Sequence, residues 1–122
     1  MIAAALSEAR QERLEGGKIV VVSGPVLVHS GAAEALASLI RMGYVDGLLA
    51  GNALAVHDVE NALMGTSLGM RVKDGTLAVR GHRNHMQAVN EVFKAGGLKA
   101  MVQKKILKSG VMYECVMNDV PF

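Results

Sequence analysis

The chain has 122 residues, a formal net charge of +2, and 51% hydrophobic against 20% charged residues. That length holds one domain at most, able to bury about two-thirds of its unfolded surface, and the composition is that of a globular protein. The small net charge, 3% aromatic content and lack of Trp exclude a basic, base-stacking binder of nucleic acid. A single cysteine, Cys115, excludes an intrachain disulfide and a multi-cysteine metal cluster, so a reducing, cytoplasmic setting is expected. The first residues, Met1 to Glu8, reach charge too early for a signal peptide. No apolar run approaches the roughly 20 residues of a membrane span, and no membrane partner is expected.

Ile2 to about Glu15 is rich in Ala, Leu, Glu, Arg and Gln, strong helix formers, and Gly16-Gly17 stops the pattern. Lys18 to Ser23 is a continuous β-branched run, the pattern of a parallel strand buried on both faces. A Gly24-Pro25 turn leads to Ser30-Gly31, a cap for a helix from Ala32 to Met42 that Gly43 ends. A second strand, Gly47 to Ala50, gives way to a helix starting near Asn52 and stopping at Gly65. The two strands are expected side by side and parallel, with the Ala32 to Met42 helix as their crossover. Met70 to Lys73 and Thr76 to Val79 flank Asp74-Gly75, a two-residue hairpin signature read as an excursion from the main sheet. Helical spacing returns with Met86, Val89 and Phe93 up to Gly96-Gly97. It resumes with Leu98, Met101, Val102 and Ile106 up to Ser109-Gly110, and a last helix carries Val111, Met112, Cys115 and Val116. Val120-Pro121-Phe122 reads as the approach to a further strand. The fold class is α/β: a partial doubly wound parallel sheet with flanking helices and a small β-hairpin excursion, residues 1–122 forming one truncated domain. Its open edge and face call for further strands or a partner.

The segment Gly47 to Asp58 carries the strongest chemical signal. An apolar run, a tight small-residue turn and a helix expose unpaired backbone N–H groups where the helix dipole favours an anion such as a pyrophosphate. Gly51 and Ala53 let a ligand approach the backbone, and Asn52 can cap the helix or offer its amide. Packing alone also produces such turns. Neither G-x-G-x-x-G nor a P-loop motif is present. His82 and His85 share a helix turn, but no nearby carboxylate or thiol completes a metal site, so they are read as polar residues capping a helix entered after Gly81. His57-Asp58 has the residue types of an acid–base pair, yet adjacent helical side chains diverge. Cys115 on an apolar helical face reads as a buried, inert thiol. Lys99, Lys104, Lys105 and Lys108 read as a solvated helix side, and the Met residues as core. No metal ligand and no catalytic residue is assigned.

Four segments, Ile19 to Pro25, Gly43 to Asp58, Gly81 to His85 and Ser109 to Cys115, resemble in order and spacing the archaeal-type ornithine cyclodeaminase family, also known as the LOR/SDH bifunctional enzyme conserved region. The resemblance runs over nearly the whole chain. It implies part of a C-terminal Rossmann-like domain similar to that of deoxyhypusine synthase, in considerably longer proteins with an N-terminal LOR/SDH domain. It also implies NAD as cofactor and ornithine as substrate, converted to proline and ammonia. The family's Gly-Asn-Ala turn at the dinucleotide maps onto Gly51, Asn52 and Ala53, and its Ser-Gly-Pro turn makes Gly24 a further cofactor candidate. A homo-oligomer, or a partner chain completing the sheet, is expected. The alternatives are a stand-alone or split NAD-binding module without activity of its own, and an NAD-dependent amino-acid dehydrogenase or a transferase on the same fold.

Overall fold

The structure, a computed structural model, describes residues 1–12 and 16–122. Helix α1 spans Ile2–Glu12, so the end of the first expected helix lies outside the described residues; Gly17 N–H reaches back to the Glu12 carbonyl at 3.2 Å. Strand β1 (Val20–Ser23) and strand β2 (Gly47–Ala50) pair in parallel, with Val20 opposite Gly47 and Ser23 opposite Ala50. Asp46 locks the start of this pair, its carboxylate accepting the Ile19 N–H at 2.8 Å. Between the strands lie a short helix, α2 (Val26–His29), and α3 (Ala33–Arg41). Ser30 and Gly31 do not cap α3: its N-cap is Ala32, and the Ser30 hydroxyl donates backwards to the Leu27 carbonyl, because the chain is already helical at α2.

After β2 come α4 (Asn52–Met64), a two-stranded ribbon of β3 (Thr66–Ser67) and β4 (Met70–Arg71), then α5 (Asn84–Ala95), α6 (Leu98–Gln103) and α7 (Val111–Met117). Helix α4 is central and touches α2, β3, α5 and α7. Leu54 and Val59 of α4 pack with Val28, Ile40, Leu48, Met101, Val111 and Met112 in one core. No described helix is long and apolar enough to cross a membrane.

Four sequence expectations need correction. The first concerns the β1–β2 sheet, which is buried on one face and not on both. Val21 and Leu48 turn inward, whereas Val20, Val22 and Leu49 are 52%, 78% and 61% exposed. The register aligns Val22 with Leu49, so these side chains share the open face. The second concerns the tight two-residue turn, which is Leu68-Gly69. The runs expected on either side of Asp74-Gly75 do meet, with Met70 bridged antiparallel to Leu77, but across a wider loop. Both Leu68 (φ 53°) and Gly69 (φ 76°) adopt the left-handed backbone that a two-residue hairpin requires. Asp74-Gly75 instead belongs to a wider loop closed by Arg71 N–H to the Thr76 carbonyl, with Asp74 Oδ1 accepting the Thr76 N–H and hydroxyl. The third is the buried face of α5: Ala88 and Ala95 are buried, while Met86 and Phe93 are 55% and 79% exposed. Small residues let α5 lie close against α4, and that proximity outweighs the larger apolar stripe. The fourth is the Met residues, of which Met101 and Met112 are core but Met86 is not.

The ribbon is pinned by a backbone contact. A Cβ at Gly81 would meet Gly69, whose backbone carbon and Cα lie 2.8 Å from that position, and Ala78 N–H donates to the Gly69 carbonyl at 3.0 Å. At the other end of the chain Leu48 N–H donates to the Pro121 carbonyl at 2.9 Å, so residues 120–122 approach the free edge of β2 as a further strand would.

Candidate functional site

Because Ser23 pairs with Ala50, the turns that follow them emerge side by side at the carboxyl ends of two parallel strands. In open α/β sheets that edge is where ligands bind. Gly24 and Gly51 are both exposed, and a Cβ at either would meet nothing within 4 Å. Gly51 is the N-cap of α4, with extended backbone and its carbonyl accepting Leu54 N–H at 3.1 Å. Asn52 is therefore the first helical residue and not the cap, a correction to the sequence reading, and its amide has no partner among the described residues. The N–H groups of Asn52 and Ala53 sit in the first turn, where helix geometry provides no carbonyl for them. All three residues, Gly51, Asn52 and Ala53, are exposed. Beside Asn52 an apolar cavity of about 390 Å³ opens between α4 and α5, lined by Ala55, Val56, Val59, Val92 and Phe93 among others. A larger, polar cleft of about 750 Å³ lies along the start and outer face of α5, near Arg80, His82 and Arg83.

A buried polar network lies along α4 behind the Gly51–Ala53 turn. Glu60 is fully buried. Its Oε2 is 2.8 Å from His57 Nδ1, and its Oε1 accepts the Thr66 hydroxyl at 2.7 Å and the Gly69 N–H at 3.4 Å. Asn84 Nδ2 in turn donates to Thr66 Oγ1 at 2.8 Å. On α2, His29 Nδ1 is 2.7 Å from Ser67 Oγ, and its ring stands edge-on to His57 with centroids 4.9 Å apart. Burial, reinforced by His57, lowers the His29 pKa below the usual histidine value, while Glu60 pulls it the other way.

The other chemical candidates take structural roles. Asp58 does not act with His57: it is buried and accepts Val111 N–H (2.9 Å) and Met112 N–H (2.8 Å), capping α7 from another helix. His82 and His85 do not cap α5, whose N-cap is Arg83 without a side-chain bond; the segment from Gly81 to Arg83 forms a 3-10 turn running into the helix. Cys115 is buried, and burial with the nearby Asp58 and Glu114 pushes its thiol up to about 11. Lys99, Lys105 and Lys108 are exposed, as is Lys104, whose ammonium also donates to the Ala95 carbonyl at 2.8 Å. Among the described residues no group of three or more His, Cys, Asp or Glu could hold a metal ion. The sequence reading missed the His57–Glu60 pair. Its i,i+3 spacing on α4 was the available signal.

The family model described as arginine dihydrolase ArgZ-like, C-terminal, Rossmann fold matches residues 1–122. The chain belongs to the ArgZ-like C-terminal Rossmann-fold family. It is 52% identical over 122 residues to the ornithine cyclodeaminase of Archaeoglobus fulgidus, a match covering all of this chain and 30% of that protein. A crystal structure of a LOR/SDH protein from Methanococcus maripaludis superposes with a TM-score of 0.93 at 43% identity, covering 98% of this chain and 37% of that one. AgrE in ternary complex with ornithine and NAD+ superposes with a TM-score of 0.87 at 51% identity, covering 98% of this chain and 18% of that one. The ArgZ-like chain thus spans less than a third of the curated relatives it matches.

Proposed function

We propose that this chain is the NAD-binding segment of an ornithine cyclodeaminase, which converts L-ornithine to L-proline and ammonia. The observation that carries the reading is the pair of open turns at Gly24 and Gly51–Ala53, side by side at one sheet edge in a chain about half identical to ornithine cyclodeaminases. The donor set fits a dinucleotide. Unpartnered N–H groups at Asn52 and Ala53 suit its pyrophosphate, the Asn52 amide is free to bind it, and Gly24 and Gly51 leave room for it. When bound, NAD+ supplies the hydride acceptor for oxidation at the substrate Cα and later returns the hydride. The protein's part is to hold and orient the reactants and to exclude water.

Residues 1–122 are read as one truncated Rossmann-like domain, and the single buried, reduced thiol suits the cytoplasm. The exposed face of Val20, Val22 and Leu49 favours a second copy or a partner chain over an isolated monomer. The alternative is an NAD-binding module without activity of its own.

Isothermal titration of the purified chain with NAD tests the reading. Ala53→Val should abolish the binding heat by placing branched carbons at the turn. Asn52→Ala should weaken binding by about 1 kcal/mol with the melting temperature unchanged, since Asn52 caps nothing. Equal affinity in both variants would show that the turn faces protein and not cofactor. An added assay of proline against oxo-acid product, with ornithine and NAD, separates the cyclodeaminase from a dehydrogenase.

A further inference from the structure

The two helices that begin at the open turns each carry a histidine, and the two rings meet. Helix α2 follows Gly24-Pro25 and ends at His29, while α4 starts at Asn52 and carries His57. His57 lies one helical turn beyond Ala53, on the same side of α4. Each imidazole is tethered through Nδ1, His57 to Glu60 and His29 to Ser67.

The network leaves Glu60 Oε1 as an acceptor only. Thr66 Oγ1 accepts the Asn84 amide, so its own hydrogen goes to Glu60 Oε1, which also takes the Gly69 N–H. Glu60 is thus an acceptor on that side, and with Glu60 as a carboxylate its Oε2 accepts from His57 Nδ1 as well. Nε2 of His57 is then the basic nitrogen. No side-chain partner occupies it, and among the described residues every buried side-chain nitrogen or oxygen has one, so Nε2 reaches solvent. A carboxylate behind the protonated nitrogen and a free nitrogen in front is the arrangement of an oriented general base.

Resting on the NAD and ornithine reading above, we propose that His57, held by Glu60, is the proton acceptor for the ammonium group of an aliphatic amino-acid substrate. The substrate N–H bond breaks, a new N–H bond forms at Nε2, and the electron pair stays on the substrate nitrogen, free to assist departure of the Cα hydride to NAD+. The imidazolium is balanced by the Glu60 carboxylate, and the proton returns to the departing amine. His29 is a positioning residue, its ring set against the His57 face at 4.9 Å. A network that merely fastened the β3–β4 ribbon to α4 would need no free Nε2.

The test is the rate of carbethoxylation of each histidine by diethyl pyrocarbonate, read peptide by peptide by mass spectrometry on the whole chain. His57 is only 8% exposed, yet it should react at least as fast as the exposed His82. Glu60→Gln should slow His57 by about tenfold while leaving His82 and the circular dichroism unchanged. Saturating ornithine with NAD should protect His57. Slower reaction at His57 than at His82 in the unmodified chain overturns the proposal, and this comparison needs no variant to fold. So does an undiminished His57 rate in a folded Glu60→Gln chain, or no protection when calorimetry shows NAD bound. If calorimetry shows no NAD binding, the cofactor reading falls, and the His57 rate still decides whether the dyad is an activated base.

Discussion

Asp58 shows how one side chain holds two distant segments. It is 1% exposed, and its two oxygens take the Val111 and Met112 N–H groups, which α7 itself cannot satisfy. A Cβ at Gly110 would lie 2.7 Å from Asp58 Oδ2, so glycine there makes room for the carboxylate. Burial raises the Asp58 pKa, and the two N–H bonds oppose that rise. Asp58→Ala removes charge-assisted bonds and strands two donors, so it should cost about 3 kcal/mol in urea unfolding, and a loss below about 1 kcal/mol would contradict the capping role. Cys115 gives a pH-dependent counterpart. Its thiol is raised from 9.0 to about 11 in the folded chain, so the folded state favours the neutral form. That contribution is complete below pH 9 and is lost as pH rises toward 11. The melting temperature of the native chain should therefore fall more steeply over that window than that of Cys115→Ala. An identical slope in both would show that the thiol is not desolvated.

The tight Leu68-Gly69 turn was missed in the sequence reading because a local signal competed with a tertiary one. Asp74-Gly75 satisfies hairpin propensity, but the tight turn is set where Gly69 must touch Gly81, and this forces the neighbouring Leu68 to a positive φ. Leucine pays about 1 kcal/mol for that backbone, and Leu68 is 61% exposed, so it recovers little by burial. Leu68→Asn should raise stability by about 0.5–1 kcal/mol in urea unfolding. A destabilised variant would mean that the leucine side chain makes contacts that outweigh its backbone strain. The same conflict explains α5: periodicity marked the stripe of Met86, Val89 and Phe93, whereas contact with α4 buries Ala88 and Ala95.

At the scale of the molecule, the parallel pair carries an apolar face that the chain's own helices leave open, with Val22 78% and Leu49 61% exposed in aligned positions. Exposed apolar sheet surface drives association. Sedimentation velocity should show a concentration-dependent assembly that Val22→Lys weakens without lowering the melting temperature. A concentration-independent monomer would mean the face is too small to pair. The sequence by itself determined the order of the two parallel strands and of the longer helices around them, the parallel pairing of the Val20 and Gly47 runs, and the stops at Gly43, Gly65 and Gly96. These depend on local propensity and on periodicity along one segment, both of which are written in consecutive residues. It also located the Gly51–Ala53 turn, since a strand, small residues and a helix follow one another there. Only the tertiary structure decided which sheet face is covered, that Asp58 serves α7, and that His57 works with Glu60 and meets His29. Those partners come from different elements or depend on which side of α4 faces α2, and such proximity is fixed by packing, not by neighbours in the chain.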